Sequence, residues 1–76
     1  MKSCWVVLVK YMEDTTGKIL NASISQEAYS DISDAKAFVE NRGNGIGSEW
    51  IQDYIRVVKM DKVTSMRYEL KNVSIV

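Results

Sequence analysis

At 76 residues, with ten basic side chains balancing ten acidic ones, the chain has room for one modest core and for neither a second domain nor a long linker. Its 46% apolar content excludes a disordered polymer. One cysteine and no histidine exclude an internal disulfide, a histidine-based catalytic device and an ordinary zinc site. Residues 1–76 therefore read as a single small domain with no cofactor.

Residues 1–10 combine a basic start with an apolar run, but the run is too short for a secretory leader and lacks a small-residue cleavage site. It reads instead as the beginning of a strand over residues 4–12. That strand is apolar at nearly every position, as in a central strand covered on both faces. Cys4, Val6 and Leu8 point one way; Trp5, Val7, Val9 and Tyr11 point the other. Residues 13–17 supply a turn in which Gly17 takes positive φ. Residues 18–25 then alternate Leu20, Ala22 and Ile24 against Asn21, Ser23 and Ser25, the pattern of a half-exposed edge strand.

Near residue 32 the period changes. Ile32, Ala35, Phe38 and Val39 fall at helical spacing, Asp31 or Ser33 can cap, Asp34 suits the positive helix end, and Gly43 is a natural residue beyond the last turn. The predicted helix spans residues 32–42. Residues 43–47 hold three glycines and read as the most mobile connection. Residues 48–53 fit either a helical turn capped by Ser48 or the lead into a strand. A third strand follows over residues 54–60, a turn over 61–65, and a fourth strand over 66–75, where Met66, Tyr68 and Leu70 alternate with Arg67, Glu69 and Lys71. The expected fold is α+β: a four-stranded antiparallel sheet in the order β-β-α-β-β along the chain, with one helix packed on one face.

One short helix covers only one face of such a sheet. Because the first and third strands are apolar on both sides, the other face should carry an apolar stripe, the usual mark of an interaction surface. Charge is also partitioned. Residues 13–53 hold eight acids against three bases, whereas the segments on either side are net basic.

No constellation points to catalysis. Asp31 and Asp34 are better explained by capping, Cys4 sits among apolar neighbours, and the glycines at 43, 45 and 47 lack the order and spacing of a dinucleotide fingerprint. The expected function is non-enzymatic protein binding, as in the small regulators and inhibitors carried by phages and mobile elements. It would use an acidic helix side (Glu27, Asp31, Asp34, Glu40) and an apolar sheet face (Trp5, Val7, Tyr11), with a protein partner or a homodimer. The alternative is nucleic-acid binding by the C-terminal hairpin, with Arg56, Lys59, Arg67 and Lys71 on phosphates and Tyr54 and Tyr68 stacking on bases. No segment reaches the roughly 20 apolar residues that span a bilayer, and a cytoplasmic setting is expected.

Overall fold

A computed structural model describes residues 2–42 and 45–75. In chain order the elements are β1 (Lys2–Glu13), β2 (Ile19–Ile24), α1 (Ile32–Glu40), β3 (Gly47–Gln52), β4 (Ile55–Lys59) and β5 (Thr64–Ile75). All the strands belong to one antiparallel sheet in the spatial order β2-β1-β5-β4-β3. The longest ladder joins β1 to β5, from Lys2 opposite Ile75 to Glu13 opposite Thr64. Strands of twelve residues reach ~40 Å at about 3.3 Å per residue. This accounts for a molecule measuring 43 × 21 × 20 Å.

The expected four-stranded sheet is corrected to five strands. Residues 47–52 form β3 rather than a helical turn, and their pairing with β4 gives the reason. Ser48 and Trp50 pair with Val58 and Arg56 on the helix side, while Glu49 pairs with Val57 on the opposite side. An extended β3 also satisfies the outer edge of β4, which would otherwise leave its backbone groups unpaired. Gly45 lies so close beneath the Lys59 carbonyl that a Cβ there would fall on it, and Ile46 N–H donates to that same carbonyl at 2.7 Å. A second correction concerns position. The last strand, whose alternation of apolar with charged residues matches the edge-strand pattern read in residues 18–25, is the middle strand of the sheet.

The turns follow their local chemistry. Gly17 takes φ +73° and donates to the Glu13 carbonyl at 2.9 Å, closing the β1–β2 connection. At the opposite hairpin Asp61 accepts from the N–H groups of Val63 and Thr64 at 2.9 and 2.8 Å. The helix begins at Asp31, whose carboxylate accepts from both the N–H and the hydroxyl of Ser33 at 2.9 Å. It ends at Glu40, two residues short of the predicted boundary, with Asn41 as the C-cap. The expected Gly43 cap lies outside the described residues.

At nine residues the helix is ~14 Å long and covers about a third of the β1–β5 ladder. Ala35 and Val39, four residues apart, point down onto Val7, Leu70, Val58 and Tyr68, and these six side chains are the buried core. Aromatic rings extend the cover beyond the helix. Trp5 stacks on Tyr54 with centroids 5.5 Å apart, and Tyr29 packs against Phe38 at 5.7 Å. Among the described residues no helix is long and apolar enough to cross a membrane.

Candidate binding surface

The strand register divides the side chains between a helix-covered face and an open one. Trp5, Val7, Val9 and Tyr11 of β1 lie on the covered face, opposite Asn72, Leu70, Tyr68 and Met66 of β5. Trp50, Tyr54 and Arg56 belong to the same side. With Tyr29 and Phe38 in the helix layer, every aromatic side chain of the protein sits on one side of the sheet.

This overturns part of the expected site. Val7 is completely buried beneath the helix, Trp5 is half-buried against Tyr54, and Tyr11 is half-buried on the same side, so these three do not form the exposed stripe. The open face is built from the other parity. Half-buried Val6, Leu8 and Met12 on β1 and Ile55 and Val57 on β4 are joined by exposed Ile19, Ile24, Val73 and Ile75. Among the described residues no other element lies over it. Cys4 is on this face too, unpaired and half-buried.

A charged band interrupts the apolar surface. Glu69, at the centre of β5, is only 9% exposed at its side chain. It accepts from Lys10 Nζ at 2.8 Å and Arg67 Nε at 3.2 Å, and Lys71 Nζ lies 3.5 Å from its other oxygen. The Lys10 hydrogen bond, reinforced by the charges of Lys10, Arg67 and Lys71, holds the Glu69 carboxyl below its ordinary range despite burial. One carboxylate therefore organises three cations. At one end of the face the Asp14 carboxylate is hydrogen-bonded to Lys59 Nζ and to Ser65 Oγ, in that order of effect, and is likewise held low. The cations of the open face, Lys2, Lys10, Lys59, Arg67 and Lys71, outnumber the carboxylates Asp14, Glu49 and Glu69 that share it.

The predicted acidic residues lie on the other side of the molecule. Glu27, Asp31, Asp34 and Glu40 are all exposed in or beside the helix. Two cations dilute them: Arg42 lies 4.3 Å from the Phe38 ring centre, and Lys36 5.5 Å from that of Trp50. Asp31 is occupied as the helix cap, and its hydrogen bonds from Ser33 lower its carboxyl.

The residues expected to bind nucleic acid are split by the sheet. Lys59, Arg67 and Lys71 are on the open face. Arg56 is on the covered side, donating to Ser48 Oγ at 2.8 Å with its guanidinium 5.7 Å from the Trp50 ring centre. Tyr68 is a core residue at 5% exposure and Tyr54 stacks on Trp5. Three of the four cations thus face away from the rings. No family model, characterised protein or solved structure is detectably similar to the chain.

Proposed function

We propose that this is a non-enzymatic protein-binding module whose open sheet face docks an apolar, acidic surface on a partner, in the manner of a small regulator or inhibitor. The observation that carries this reading is the open face itself. It is a sheet surface without aromatic rings, apolar on both flanks, and crossed by a band with more cations than carboxylates. The apolar flanks supply area, and the cations steer an acidic partner and fix its register. The exposed acids of the helix layer act as a like-charge guard on the far side, so the partner is directed to one face. An unpaired Cys4 suits a cytoplasmic setting.

The nucleic-acid reading keeps three of its four cations on the open face but loses its stacking platform, because both tyrosines it needs are on the covered side. A pull-down with matched variants separates the two. Val6→Asp or Leu8→Glu abolishes retention of the partner, while Asp34→Lys leaves it intact. A partner lost on Asp34→Lys and kept on Val6→Asp would move the site to the helix. A salt-sensitive gel shift removed by Arg67→Glu, with no protein retained, would replace this reading with nucleic-acid binding.

A further inference from the structure

The sheet ends at β2 on one side, and among the described residues nothing pairs with the outer edge of that strand. Exposed strand edges in natural proteins are usually blunted by charges, proline or irregularity. β3, at the other end, has Glu49 and a register shift next to Gln52. β2 (Ile19–Ile24) contains no charged residue, proline or glycine, every residue in it is exposed, and its register shift is confined to its start, beside Met12.

The backbone polarity of β2 is set by its partner. Ser25 N–H donates to the Val7 carbonyl at 2.8 Å, so alternation directs the backbone groups of Ser23 and Asn21 toward β1 and those of Ala22 and Ile24 outward. The Ala22 N–H indeed finds only the neighbouring Asn21 Oδ1, at 2.9 Å, a local substitute that an incoming strand can displace.

We infer that β2 pairs antiparallel with β2 of a second copy of this chain, on a two-fold axis through Ser23, making one continuous sheet across the dimer. Of the two copies' β2 edges, this register sets Ala22 opposite Ile24 and Ile24 opposite Ala22, each pair exchanging its outward N–H and C=O groups. Both residues belong to the open face in each copy, so apolar meets apolar and the small Ser23 meets itself on the covered side. The antiparallel arrangement also carries Lys18, before β2 in one copy, toward Glu27, after it in the other, an attraction repeated by symmetry. Zero net charge leaves no long-range repulsion between copies. The dimer would double the width of the open face, but the inference uses the edge alone and does not depend on what that face binds.

Sedimentation over a concentration series, with circular dichroism to confirm folding, tests it. The wild-type chain forms a concentration-dependent dimer. Ile24→Pro removes an outward donor without touching the β1 ladder, and Ser23→Lys places like charges on the axis; each raises the dimer dissociation constant roughly tenfold or more. In a Cys4→Ser background, Ser23→Cys forms an intermolecular disulfide under mild oxidation, since non-hydrogen-bonded opposite residues lie about 4.5 Å apart at Cα. Val6→Asp, on the open face, leaves the dimer unchanged, which keeps this test separate from that of partner docking. A strict monomer at about millimolar concentration, or a dimer indifferent to both edge substitutions, would overturn the inference.

Discussion

Glu69 has an unusual position for a carboxylate: the middle of the middle strand, nearly buried, with Lys10, Arg67 and Lys71 gathered on it. Glu69→Ala leaves those cations facing one another across adjacent strands. Equilibrium denaturation should show a loss of about 2 kcal/mol, below the cost of breaking a fully buried pair because the lysines reach solvent. Acid should act through the same group. Asp14, Asp31, Asp61 and Glu69 are all held below their ordinary values by hydrogen bonds, with Lys59, Ser33, Val63 and Lys10 respectively the first cause. A carboxyl depressed in the folded state contributes its full stabilisation above its unfolded value and loses it as pH falls through the folded one. The denaturation midpoint is therefore expected to be level from neutrality to about pH 5 and to drop below about pH 4. The Glu69→Ala variant should show a shallower drop.

At the scale of elements, the helix is held by few contacts, because only Ala35 and Val39 of α1 are fully buried. Val39→Ala should cost about 2 kcal/mol, combining lost apolar burial with a residual cavity. In a domain of this size that lowers the thermal midpoint by roughly 10 °C, measurable by circular dichroism. The start of the helix, Asp31 as one of two candidate caps, and the Gly17 turn were legible in the sequence, because each depends on chemistry within a few residues. β3 was not. Its six residues set their two large apolar side chains, Trp50 and Ile51, side by side, and what makes them a strand is the unpaired edge of β4, a demand that comes from elsewhere in the chain. The site shows the same division. Alternation correctly sorted β1 into two faces, but a period of two cannot say which face receives the helix, and Trp5, Val7 and Tyr11 were assigned to the wrong one. The signal that could have decided it was the shared parity of the aromatics, with Tyr68 aligned to Val9 and Trp5 near Tyr54. Large rings seek the dry side.

For the whole molecule, charge partition was readable from local counts, and the structure gives it a geometry: an exposed acidic helix layer and a basic, apolar sheet face. Specificity in such an arrangement comes from sign as well as shape. Reversing the sign of the band with Arg67→Glu and Lys71→Glu should weaken partner binding mainly by slowing association, with a reduced salt dependence, whereas Leu8→Glu should speed dissociation. Stopped-flow or surface-based kinetics at two salt concentrations would tell these apart. The middle position of β5 was hidden from the sequence because its alternating charges look solvated until Lys10, some 60 positions away, is brought beside them.

The β1–β5 ladder has a kinetic consequence. Its pairs join residues at opposite ends of the chain, Lys2 to Ile75 among them, so the sheet's central seam forms only after a loop comprising most of the polypeptide has closed. That entropy is lost before the seam returns any of it, which places refolding in the slow, millisecond-to-second range despite the small size. A circular permutant that joins the neighbouring ends through a short linker and opens the chain at the Asp61 turn converts the longest-range contacts into a local hairpin. Stopped-flow refolding of that permutant should be faster, with the same sheet at the end of it.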